Sequence, residues 1–110
     1  MKRCSVSAQR SPTPDVVPIQ WRPPKARVVQ VTRTDEGYTA RVLFNHPVTF
    51  VYEALRRAAA DTGGEIGASE NEGRDAELEI ERTGERTEIR LSALRACPQY
   101  SQATIVQEPT

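Results

Sequence analysis

One segment of this chain spaces its apolar residues as an α-helix does. From Pro47 to Thr62, Val48, Val51, Tyr52, Leu55, Ala58 and Ala59 recur at helical intervals, while Glu53, Arg56, Arg57 and Asp61 take the opposite side. Pro47 suits the first helical position, Asn45 or His46 can cap ahead of it, and Gly63 and Gly64 supply the backbone freedom that a left-handed C-terminal cap wants. A lone amphipathic helix must bury its stripe against something else, so the rest of the chain has to supply an apolar face.

The flanking segments supply it with a period of two. Val29 and Val31 alternate with Val28, Gln30 and Thr32, and Tyr38, Ala40, Val42 and Phe44 fall on one face of the next run. Thr34 to Gly37 carries turn chemistry, with Gly37 free to take positive φ, so a hairpin pairing Arg33 with Tyr38, Val31 with Ala40 and Val29 with Val42 is expected. After the helix, 65–70 reads as a short strand and 71–73 as a turn. Ala76, Leu78 and Ile80, then Thr87, Ile89 and Leu91, alternate with charged residues in two half-buried antiparallel strands. A two-residue turn with Gly84 first would set Ile80 against Ile89, Leu78 against Leu91 and Glu79 against Arg90. The stretch 92–98 reads as a loop, and 102–107 as a final edge strand. The expectation is a two-layer α+β fold: one amphipathic helix packed on an antiparallel sheet of four to six strands, ordered β-β-α-β-β-β with an extra C-terminal strand as an option.

Residues 1–26 differ in kind. Pro12, Pro14, Pro18, Pro23 and Pro24 exclude helix and central strand, so this region reads as a flexible, proline-rich N-terminal arm preceding a single α+β domain at 27–110. Within it, Val16 to Trp21 holds the one Trp and enough apolar area to dock on the domain or on a partner. Trp21, Arg22, Pro23, Pro24 and Lys25 combine an aromatic anchor, positive charge and extended backbone, which suits partner binding.

The 110 residues carry fifteen charges of each sign, which disfavours a surface tuned as a whole to nucleic acid or anionic lipid. The charges are nonetheless unevenly placed: Lys and Arg predominate up to residue 60, Asp and Glu beyond it. No apolar run approaches the roughly 20 residues needed to cross a bilayer, and the first residues lack the apolar centre of a signal peptide. With Cys4 and Cys97 far apart, free thiols and a cytoplasmic location are expected. The excess of Arg over Lys with abundant Ala and Glu suggests a bacterial genome.

Catalytic and metal chemistry find little footing. His46 is the single His and lacks a nearby nucleophile, and Cys4, His46 and Cys97 lack zinc-ligand spacing. Glu77, Glu79 and Glu81 share a strand face whose ordinary reading is a solvated surface, and Gly63 to Gly67 follows a helix where a phosphate loop would open one. No metal or cofactor is expected. The stretch from Phe50 through Ile80 looks like small two-layer modules found in bacterial envelope-assembly lipoproteins and in accessory subunits; its motifs are generic and no residue is carried over from them. The reading that follows is a non-enzymatic accessory or regulatory protein that binds another protein through the arm and the domain surface. The alternative is a small-molecule binder or cofactor-free enzyme with a cavity between helix and sheet, lined by Phe44, Phe50, Tyr52, Leu55 and Ile80. A nucleic-acid-binding module ranks third, because no aromatic and basic residues interleave on a strand as base-stacking platforms do.

Overall fold

The computed structural model of the chain describes residues 27–95 and 97–109. They form β1 (Arg27–Thr34), β2 (Gly37–Phe44), α1 (Val48–Asp61), β3 (Glu65–Asn71), β4 (Asp75–Arg82), β5 (Glu85–Leu94) and β6 (Cys97–Pro109). All strands join one antiparallel sheet in the order β1-β2-β6-β5-β4-β3, with the helix packed on one face. The chain thus makes a hairpin and crosses to the far edge by way of α1. It then returns as a meander whose last strand fits between β2 and β5. This is the expected two-layer α+β fold, with six strands.

Alternation decides which face is covered. Tyr38, Ala40, Val42 and Phe44 of β2, Ser101, Ala103 and Ile105 of β6, Thr87, Ile89 and Leu91 of β5, and Ala76, Leu78 and Ile80 of β4 are buried. Register lines them up in rungs: Ala40, Ile105, Ile89 and Leu78 are consecutive neighbours across four strands, as are Val42, Ala103, Leu91 and Ala76. Onto this surface α1 lowers Val48, Val51, Tyr52, Leu55 and Ala59. Each of these larger side chains gains about 1.5–3 kcal/mol from full burial, which stabilises the layer.

The helix stops as its sequence specifies and starts differently. Gly63 has φ 79°, its N–H donates to the Ala60 carbonyl, and the Gly64 N–H donates to Ala59 at 2.8 Å, the paired bonds of a Schellman ending. At the other end Pro47 itself is the N-cap, in extended geometry, and neither Asn45 nor His46 caps with a side chain. His46 is held instead through its carbonyl, which accepts from Ser101 Oγ at 2.7 Å.

Besides running on through Leu94 and resuming at Cys97 where a loop was expected, the strands depart from expectation in four places. The first hairpin pairs Arg33 with Tyr38 and Val31 with Ala40, but a bulge at Val29 puts Val28 opposite Val42 and turns Val28 inward. Gly37 is needed for space and takes no positive φ: a Cβ there would collide with the Gln107 carbonyl of β6. In the β4–β5 turn, Gly84 occupies the second central position with φ 83°, so pairing slides by two residues, setting Ile80 against Thr87, Leu78 against Ile89 and Glu77 against Arg90. A slide of two preserves which side chains face the core. The fourth departure is β6, expected at an edge and found in the centre of the sheet. It pairs on both sides although its core-facing positions Ser101, Ala103 and Ile105 include one large apolar residue.

Cys97 is buried and disulfide-bonded, which corrects the expectation of two free thiols; separation along the chain says nothing of proximity in space. Cys4, the other cysteine of the sequence, lies outside the described residues.

Candidate functional site

The residues proposed from sequence fall into two groups. Trp21, Arg22, Pro23, Pro24 and Lys25 lie outside the described residues. Of the five assigned to a cavity between helix and sheet, Phe44, Tyr52, Leu55 and Ile80 meet in one buried cluster. Phe50 does not join them: it is 52% exposed and stacks on the His46 ring at 4.1 Å, because its position on α1 turns away from the sheet. The surface depressions lie elsewhere.

The sheet face opposite α1 carries the other half of every alternation. On β4 it presents Asp75, Glu77, Glu79 and Glu81, and on β3 it adds Glu65 and Glu70. Register sets Glu65 opposite Glu81, Glu70 opposite Glu77, and Glu79 opposite Glu88 of β5. Like charges directly opposite one another across strands oppose folding. Two arginines of β5 offset part of this: Arg90 Nε lies 3.8 Å from Glu77, and Arg86 reaches Glu79 at 4.0 Å on one side and Glu108 at 2.7 Å on the other. The hydrogen bond to Glu108 holds the Arg86 guanidinium above its ordinary pKa.

Two shallow depressions meet on this face and share Glu77 and Arg90. One, of about 580 Å³, reaches toward β2, where Arg41 donates to Gln102 Oε1 at 3.1 Å. The other, of about 300 Å³, runs toward β3 between Glu70, Glu79 and Glu88. Among the described residues, no group of three or more His, Cys, Asp and Glu is placed to hold a metal ion.

The uneven charge of the sequence is kept apart in space. β1 and β2 bear Arg27, Arg33 and Arg41 and no acid, whereas β3 and β4, at the opposite edge, bear six acids and Arg82 alone.

A second polar group sits on the helix side, where β2, β6 and β5 end together. Gln107 Nε2 donates to Glu85 at 2.6 Å, Arg82 lies 3.9 Å from Glu85, and Arg82 also donates to the Thr62 hydroxyl. Tyr38, 5% exposed, places its hydroxyl beside them with no hydrogen-bond partner among the described residues. Burial, with a smaller contribution from Glu85, pushes its pKa up to about 12.

Sequence reasoning found the acidic alternation on β4 but missed the glutamate pairs, which depend on register, and missed Tyr38, whose surroundings come from distant strands. No helix among the described residues is long and apolar enough to cross a membrane. No family model, curated protein or solved structure matches the chain.

Proposed function

We propose that this protein is a non-enzymatic accessory or regulatory protein that acts by protein–protein interaction, and that its domain surface engages a Lys- or Arg-rich segment of the partner. One observation carries the reading: three glutamate pairs, Glu65/Glu81, Glu70/Glu77 and Glu79/Glu88, face each other on an uncovered sheet face. A fold selected for stability alone would relieve them, and a cationic partner relieves them on binding. The same charge repels phosphate, which disfavours nucleic acid on this face. The adjoining edge strand β3, exposed along nearly its whole length, offers backbone groups for a partner strand to pair with. Trp21 to Lys25 of the N-terminal arm form the second contact of this proposal. The expectation of a cytoplasmic location rested partly on free thiols, and the disulfide at Cys97 removes that support.

The test is titration of the labelled full chain with an Arg-rich peptide while backbone amide shifts are followed. Perturbations should concentrate on β3, β4 and β5, weaken with added salt, and vanish in Glu65→Gln/Glu70→Gln/Glu79→Gln. That triple variant should unfold at the same or a higher temperature, separating lost binding from lost structure. Perturbations centred on α1, or binding indifferent to both salt and the triple substitution, would refute the reading.

A further inference from the structure

Register carries one rung across five strands of the face opposite α1: Arg41 of β2, Thr104 of β6, Arg90 of β5, Glu77 of β4 and Glu70 of β3 are consecutive neighbours, and all of them are exposed. Charge along this rung changes sign. Its β3–β4 end is negative, its β5–β2 end carries two arginines, and a hydroxyl stands between those arginines. They meet in the depression of about 580 Å³, bounded by Arg41, Gln102 and Thr104 toward β2 and by Asp75 and Glu77 toward β3. The two arginines are held differently. Arg90 leans toward β4, where its Nε lies 3.8 Å from Glu77. Arg41 leans over β6, where it donates to Gln102 Oε1 at 3.1 Å, and Gln102 in turn donates to Ser92 Oγ at 3.4 Å. An amide accepts from Arg41 but leaves its charge unmatched, and Arg41 makes no ion pair among the described residues.

We propose that the basic segment taken by the acidic face also carries an Asp or Glu, whose carboxylate binds Arg41 and the Thr104 hydroxyl while a Lys or Arg of the same segment lies between Glu70 and Glu77. This rests on the reading of the acidic face as a docking surface for a cationic segment, and narrows the partner to one of mixed charge. Donor chemistry and charge both select the carboxylate. Guanidinium and hydroxyl each donate, and a carboxylate accepts from both at once. With Arg90 already shared by Glu77, Arg41 is the cation this depression has to spare, which matches a carboxylate and falls short of a phosphate dianion. Spacing follows from the sheet. Glu77 lies two strands from Thr104 and Glu70 three, about 10–14 Å at ordinary strand separation. An extended segment crossing the strands rises ~3.3 Å per residue and presents the same side at every second position, so an acid four positions from a base spans the gap. An all-basic segment sets a like charge against Arg41.

The test compares two peptides against the full chain by calorimetry: an Arg-rich peptide with one Asp four positions from an Arg, and the same peptide with Asn in place of that Asp. Attraction by the acidic face alone favours the Asn peptide, which bears the greater positive charge, so the two explanations differ in sign. Expected is tighter binding of the Asp peptide, by about two- to five-fold. Its amide perturbations should reach Thr104 and Arg41, where the Asn peptide produces none. Arg41→Gln, at an exposed position without an ion pair, should keep the thermal transition, abolish the preference for Asp, and leave affinity for the Asn peptide unchanged or raised. Arg57→Gln, exposed on α1, should keep the preference. Equal or weaker binding of the Asp peptide, or a preference that survives Arg41→Gln, overturns the inference and leaves the acidic-face reading standing as long as the Asn peptide perturbs β3 and β4. Binding of neither peptide overturns both.

Discussion

At one edge of the sheet, β3 runs under the helix and yet keeps every residue but Ile66 exposed; at the other, β1 and its neighbour β2 are buried at Val28, Tyr38, Ala40 and Val42, in one cluster with the helix side chains. Both edges are hairpin arms and both carry a bulge, at Gly67 and at Val29. The difference lies in the side chains offered to the layer above. β3 offers Ile66 with Ser69 and Asn71 in register with Leu78 and Ala76, so the helix has little to cover there. β2 offers Tyr38, Ala40, Val42 and Phe44, enough apolar area to join the core cluster that the helix side chains complete. The acidic residues gather at the edge that gains least from being covered.

Substitutions should divide along the same line. Phe44→Ala removes a fully buried ring and should destabilise by about 3–5 kcal/mol in chemical denaturation, whereas Ile66→Ala at the β3 edge should lose about 1 kcal/mol or less. If the two losses are equal, the edges do not differ in packing. High pH should act through β2. Tyr38 ionises near its ordinary pKa of 10 in the unfolded chain and at about 12 in the folded one, so the folded state holds the proton longer. The stabilisation is complete below pH 10 and is lost as pH rises from there through about 12. The loss amounts to about 2–3 kcal/mol. Tyr38→Phe should flatten this alkaline limb and, by removing a buried hydroxyl that has no hydrogen-bond partner among the described residues, leave stability at neutral pH unchanged or raised.

Two glycines sharpen the contrast further. Gly37→Ala drives a methyl group into the Gln107 carbonyl and should cost about 1–3 kcal/mol. Gly67→Ala meets atoms of Glu79 no closer than 3.8 Å and should be neutral or stabilising by up to about 1 kcal/mol. The smallest effect belongs to the outer face, where Glu70→Gln should raise stability by roughly 0.2–1 kcal/mol at low salt and by less at high salt. A loss there would mean that the facing glutamates are not in repulsion.

What the sequence made legible was local. The stripe from Val48 to Ala59 and the Gly63–Gly64 stop depend on residues within two turns of one another, and the folded helix keeps them. The alternation in β2, β4 and β5 named the core faces correctly for the same reason. Register was less accessible, because a turn glycine in the first or second central position gives the same parity and different neighbours, and Gly84 took the second. Without the register, Glu70 and Glu77 could not be seen to face one another. The central place of β6 and the role of Gly37 were out of reach, since each is decided by strands remote in the chain. Phe50 was assigned inward on hydrophobicity alone, although helical geometry sets it beside His46.

The insertion of β6 between β2 and β5 has a consequence for assembly. It follows the other five described strands in the chain, and until it arrives the first hairpin and the β3–β5 meander are separate fragments, each with a bare backbone edge where β6 later pairs. The rate of folding should therefore follow this one long-range closure, and any condition that delays it leaves two sticky ribbons exposed to pairing with those of other copies.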